Sequence, residues 1–200
     1  MTHAAAAPVV QVLSVNVGLA TPLSVGTRRV LSGIGKRPVA GPVAVGTLGL
    51  AGDEQADPSL HGGRDKAVYA YPVAHYTFWQ AQRRAQGVSL FDEALPPGFV
   101  GENLTIDGLS EAQVWIGDEL HFGPLVLRVT EPRQPCFKFA AVMGYPDAPR
   151  DMLPGSRCGF YLAVAQTGTL TAGQTGVLVP GRRALPLVEA FAAKRARLAR

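Results

Sequence analysis

Glycine and proline interrupt this chain 23 and 16 times in 200 residues, which cuts it into short pieces. The interruptions follow no repeat and fall between apolar runs, the punctuation of many short strands joined by turns. Hydrophobic residues make up 47% of the chain and charged residues 17%, enough apolar surface to close around a core and to exclude a disordered chain. One full domain with a large core is expected at this length, rather than two equal ones.

Val9 to Val17 is rich in β-branched residues with small or polar interruptions and predicts a first strand. Further strands are predicted at Val43 to Leu50, Ala67 to Tyr71, Leu104 to Ile106, Glu119 to Phe122, Leu125 to Glu131, Gly159 to Gln166 and Thr175 to Val179. Pro72 to Gln86 reads as a helix, with Pro72 suited to the first helical position and Gly87 as a stop. Leu185 to Arg200 carries a partial apolar stripe of Leu187, Val188, Phe191 and Leu198, with cations toward a helix C-terminus, where the macrodipole favours them. About eight or nine short strands against two helices predict a mainly β fold. The expected architecture is a closed or nearly closed β-barrel over residues 1–182, followed by a short C-terminal helical extension over 183–200.

The strand ending at Glu131 runs into Pro132-Arg133-Gln134-Pro135, which delivers Cys136. Both prolines fix φ and bias the preceding residue toward extended geometry, so the turn is stiff and aims one side chain. Arg133 lies three positions before the thiol and Lys138 two after, and nearby cations favour the thiolate that attacks electrophiles and binds metals. A lone cysteine is equally often a small buried hydrophobe, so the residues alone leave structure and chemistry both open. Cys158 is expected in the core or at its rim. There is no CxxC pair and no Cys/His spacing typical of zinc.

Two loops supply further candidates. Thr27 to Pro42 gathers Arg28, Arg29, Lys36 and Arg37 beside Gly33 and Gly35, either a phosphate cradle or a solvated basic loop. Gly49 to Lys66 is the least periodic segment and holds Asp53, Glu54, Asp57, His61, Arg64, Asp65 and Lys66, with Gly62-Gly63 permitting close approach of a ligand. His61 is a candidate proton donor or cofactor anchor, with a satisfied structural histidine as the competing reading. Glu102 and Asn103 fall at an expected pocket edge, unless Glu102 only ties down its turn. His75 and His121 read as structural or surface groups, and Gly144 to Ser156 as a polar, proline-rich flap. The net charge of +4 suits an anionic ligand and is weak evidence for nucleic acid, because the basic residues are not interleaved with exposed-looking aromatics. No apolar run is long enough to cross a bilayer and the first residues lack the basic start of a secretory signal, so a cytoplasmic protein with no membrane partner is expected.

The strings EPRQPCFKF, GFVGENLTI, IGDELHFG and GDEQAD followed by HGGRDKAVYAYP resemble, in the same order, the motifs of the MOSC domain family and of its YiiM-type branch. The resemblance runs from about Val12 to Val179. It implies a β-barrel that binds molybdenum cofactor (molybdopterin), with Cys136 coordinating the metal. It further implies cofactor binding by Arg133, Lys36, Arg37, His61, Arg64, Lys66 and Asn103, with His61 or Asp53 supplying protons. The implied activity is reduction of N-hydroxylated compounds such as hydroxylaminopurines, a detoxification in which R–NHOH, two protons and two electrons give R–NH2 and water. The chain has no dinucleotide-binding glycine pattern, flavin motif or cysteine set for an iron–sulfur cluster, so electrons are expected from a separate reductase protein. Pyridoxal phosphate is not expected, and the protein is expected as a monomer or homodimer. Two rivals remain open: a persulfide-bearing sulfur carrier and a non-catalytic cofactor-binding module.

Overall fold

A computed structural model describes residues 7–57, 62–91 and 93–198. In chain order come β1 (Val9–Val17), β2 (Thr21–Val25), β3 (Arg28–Ser32), β4 (Arg37–Pro38), β5 (Val43–Gly46), β6 (Gly49–Leu50), β7 (Val68–Pro72) and helix α1 (Tyr76–Ala85). Then follow β8 (Leu104–Asp107), β9 (Glu119–Phe122), β10 (Leu125–Pro132), α2 (Phe137–Met143), α3 (Ala148–Asp151), β11 (Phe160–Gln166), β12 (Gly168–Leu170), β13 (Thr175–Val179) and α4 (Leu187–Leu198). The longest stretches free of glycine and proline, 73–86 and 187–200, hold the two longest helices.

Seven strands close a barrel in the order β13-β9-β10-β11-β7-β8-β1, with Val9 of β1 opposite Val177 of β13 completing the circle. The mainly β, closed-barrel expectation is met. Neighbours pair antiparallel except β7 and β8, which run parallel and are joined through the crossover containing α1, as parallel pairs require. Small sheets of β5, β6 and β12 and of β2 and β3 lie outside the barrel.

Strand alternation divides the apolar residues into two bodies. Val10, Val12, Leu104, Ile106, Leu120, Phe122, Leu125, Leu127, Phe160, Leu162 and Leu178 fill the barrel interior. A second body of Tyr69, Tyr71, Tyr76, Trp79, Phe139, Met143, Tyr145, Met152 and Tyr161 packs between the barrel wall and the helices. Strand β7 is buried along its whole length because it serves both: Val68 and Ala70 face the interior, Tyr69 and Tyr71 the second body.

Three sequence expectations change. Val43 to Leu50 is not one strand but the hairpin of β5 and β6. Thr27 to Pro42 is not a single basic loop, because its first part forms β3, paired with β2. Arg28 and Arg29 are exposed on that hairpin. Gly144 to Ser156 is not a polar flap: it contains α3 and buries Tyr145, Ala148 and Met152 in the second apolar body. The C-terminal helix is present and is seated by Leu187, Ala190 and Phe191, while Lys194 ion-pairs with Glu131 of β10.

Candidate functional site

A pocket of roughly 620 Å³, its open mouth included, lies against the outer face of β7 and β11. Cys136, Arg133, Lys138, Lys36, Asp53, Lys66, Asn103, Tyr69 and Tyr161 are among its lining.

The Pro132–Pro135 turn places the thiol as its two fixed φ angles predict. Cys136 is extended (φ −143°, ψ 166°) and half-buried, and its carbonyl accepts the first backbone bonds of α2, from Phe139 at 3.0 Å and Ala140 at 3.4 Å. Its predecessor in the turn, Arg133, is 5% exposed. The guanidinium donates to Val100 O at 3.0 Å and to Tyr69 Oη at 3.3 Å, and lies about 5 Å from the ring centres of Tyr69 and Phe139. Among the described residues no carboxylate ion-pairs with it. Burial alone would lower its pKa, but Tyr69, Cys136 and Tyr161 outweigh burial and hold the group charged.

The opposite wall is built by residues that fix one another. Asp53 ion-pairs with Lys36, accepts the Gly18 N–H at 2.9 Å and accepts Asn103 Nδ2 at 2.8 Å. The Asn103 carbonyl oxygen accepts the Tyr69 N–H at 3.1 Å, and its amide also donates to Asn16 O at 3.2 Å. Burial lowers the Lys36 pKa against the pull of Asp53. The loop reaches this position because Gly33 has no side chain: a Cβ there would stand 2.3 Å from Glu54 O. Beneath it, Glu102 is fully buried and accepts from Tyr76 Oη, the Gly98 and Val100 N–H groups and Thr105 Oγ1. It ties down the turn before β8, and burial pushes its carboxyl upward against those donors.

Lys66 arrives on a short 3-10 turn, Arg64–Lys66, and bonds Glu131 at 3.4 Å. The register slips between Val129 and Glu131, and the Thr130 hydroxyl there reaches the carbonyls of Asp65 and Tyr161. Irregular ladder positions of this kind commonly re-aim residues near sites.

Of the residues singled out in the sequence, Cys136, Arg133, Lys36, Asp53, Lys66 and Asn103 meet at this pocket. Arg37, on β4, and Arg64 are exposed and are not among its lining residues. His61 lies outside the described residues. His75 is structural, bonded to buried Glu111 at 2.8 Å, and Cys158 is buried in the second body. Sequence reasoning missed Tyr69 and Tyr161. Alternation in β7 and β11 sets both on the face opposite Ala70, Phe160 and Leu162, and that signal was available. Burial pushes Tyr69 well above the usual phenol range and Tyr161 up to about 12.

The MOSC domain model matches residues 57–175, which span β7 to β12 and include both the thiol turn and the pocket tyrosines. The chain belongs to the MOSC domain family. It is 36% identical to the uncharacterized protein YflK of Bacillus subtilis over 162 residues, covering 81% of this chain and 70% of that one. It is 37% identical to the protein YiiM of Escherichia coli over 141 residues, 70% of this chain and 61% of that one. A Gibberella moniliformis protein named Reductase is 36% identical over 73% of this chain, which spans only 25% of that longer protein. The crystal structure of YiiM from Geobacillus stearothermophilus superposes with a TM-score of 0.72 at 33% identity, covering 94% of this chain and 85% of that one. The protein is thus a MOSC domain protein of the YiiM type. Among the described residues no helix is long and apolar enough to cross a membrane.

Proposed function

We propose that this MOSC protein is a molybdenum-cofactor-dependent reductase of N-hydroxylated compounds, supplied with electrons by a separate reductase protein. The observation that carries the reading is a half-buried thiol sharing a pocket wall with a buried arginine that has no carboxylate partner among the described residues. A desolvated cation of this kind is costly unless an anion meets it. The family match and the relative named Reductase support the same reading.

The lining fits the cofactor. No group of three His, Cys, Asp or Glu side chains among the described residues is arranged to hold a metal ion. Soft thiolate suits molybdenum, and Lys36, Lys66, Arg133 and Lys138 suit an anionic cofactor. When bound, the cofactor supplies the two-electron chemistry that reduces the N–O bond. Cys136 holds the metal through its sulfur. Arg133, locked by Val100 and two aromatic rings, keeps positive charge beside that sulfur. Asp53 acts as a clamp: three hydrogen bonds engage its carboxylate and hold Lys36 at the wall, which argues for positioning rather than proton delivery. Arg37 and Arg64, outside the lining, drop out of the holding set.

The test is the molybdenum-to-protein ratio of wild type and Cys136→Ser made in a cofactor-producing host, followed by turnover of a hydroxylaminopurine with reduced viologen. Near-stoichiometric metal in wild type, lost in the variant, together with amine product, is the expected result. Wild-type protein free of molybdenum despite cofactor supply, carrying extra sulfur on Cys136, would replace this reading with a sulfur carrier.

A further inference from the structure

Five tyrosines occur in the chain, and all lie among the described residues. Four give their phenolic proton to a protein acceptor. Tyr69 donates to Cys158 O at 2.8 Å, Tyr71 to Arg157 O at 3.2 Å, Tyr76 to Glu102 Oε1 and Tyr145 to Asp151 Oδ2 at 2.9 Å. Tyr161 differs. Its nearest charged groups include the Arg133 guanidinium and Lys66, which have only donors and cannot accept the phenolic proton, and the Glu131 carboxylate, which acts on it through charge without a hydrogen bond. No other group among the described residues accepts it either, although the residue is 8% exposed. At the pocket wall, a hydroxyl whose proton no described group takes up can give it to a ligand.

Position agrees with this. Tyr161 and Cys136 line the same pocket, and the Tyr161 ring is fixed 5.3 Å from the Tyr69 ring with Lys66 Nζ 5.9 Å above it. Both residues therefore border one volume, and Cys136 lies close enough to act on the Tyr161 phenol through charge. Asp53 and Asn103, the other polar groups deep in the lining, are committed to each other and to the backbone. Tyr69, the second phenol at the wall, has already donated its proton.

We propose that Tyr161 is the hydrogen-bond donor that the pocket presents to the oxygen of its N-hydroxylated substrate. The proposal rests on the reductase reading for the identity of that substrate. A donor held there by packing meets the oxygen as it gains negative charge during N–O cleavage, and such a preorganised donor strengthens as charge develops. Arg133 and Lys66, also in the lining, are donors and do not compete for that proton.

Tyr161→Phe keeps the ring and removes only the donor. In molybdenum-loaded protein with a hydroxylaminopurine and reduced viologen, its kcat is expected to fall about 100-fold, the cost of losing one such donor. Molybdenum content and thermal midpoint stay at wild-type values. An unchanged kcat, or loss of molybdenum in the variant, overturns the assignment. A second readout needs no turnover: in loaded protein carrying ring-labelled tyrosine, adding the hydroxylaminopurine shifts the Tyr161 ζ-carbon resonance, identified by its absence from the variant, and leaves those of Tyr71, Tyr76 and Tyr145 in place. Absence of that shift also overturns it. Wild type that shows the shift without turnover removes the reductase reading and leaves the donor assigned; wild type and variant turning over equally does the reverse.

Discussion

The barrel interior and the body outside its wall are built from the same strands yet obey different chemistry. The interior is almost wholly aliphatic, with Phe122 and Phe160 as its rings, and needs no polar partner. The outer body holds five tyrosines, a tryptophan and a buried arginine, each requiring a hydrogen bond or a facing ring. An aliphatic core is stabilised by area and shape alone and tolerates volume-conserving change. A body rich in hydroxyls and a buried charge is stable only where every group is met, so a group left unmet points to a ligand. One region therefore carries the fold and the other the site.

That contrast is most exposed to Phe122→Ala. This ring is fully buried inside the barrel and its truncation is expected to cost about 3–5 kcal/mol in urea unfolding. Molybdenum bound per folded molecule should not change; metal lost from a folded variant would break the separation. Arg133→Lys asks the reverse question. It keeps the charge but not the guanidinium fork, and cofactor retention, read as molybdenum per protein after dialysis, should fall about 10- to 100-fold with a smaller stability loss than Phe122→Ala. Within the outer body, Tyr69→Phe strips a donor from Cys158 O and an acceptor from Arg133 and should cost about 1–2 kcal/mol. Tyr161→Phe, which removes no donor that a protein group accepts, should stay within about 0.5 kcal/mol. Equal losses for the two would erase the distinction between a structural and a ligand-facing phenol.

The smallest effect is a pH dependence from Glu102. Its folded pKa lies above the ordinary 4.5 because of burial, so the folded state holds the proton more tightly than the unfolded one. The resulting stability is present in full below pH 4.5 and is lost as pH rises through the raised folded value. Urea midpoints of wild type should therefore decline across that window relative to Glu102→Gln. Parallel curves would show that the carboxylate's four donors cancel its burial.

Much of the barrel was legible because its strands alternate. Val9 to Val17 was read to the residue, and the Pro132–Pro135 turn announced Cys136 through two fixed φ angles. The β2–β3 hairpin was not, since its residues are largely exposed and leave no apolar rhythm to read. Gly144 to Ser156 misled for the opposite reason: Tyr145, Ala148 and Met152 are buried at positions scattered among prolines and charges, without a period. In the site, residue type singled out Asp53 as a proton source, but only the fold reveals that Lys36, Gly18 and Asn103 already occupy it. Tyr161 was visible as one face of a strand. What its hydroxyl lacked depended on contacts between segments far apart in the chain.

The proline turn also limits how far the thiol can reach. Cys136 follows Pro135 directly and its carbonyl is tied into the first turn of α2, so the backbone on both sides of the thiol is restrained. The sulfur can swing about its own side-chain bond and little further. A group mounted this way does not travel to a distant acceptor as cargo on a flexible arm does. Its reaction partners must diffuse in, and the mouth of the pocket is where their size and shape are first screened.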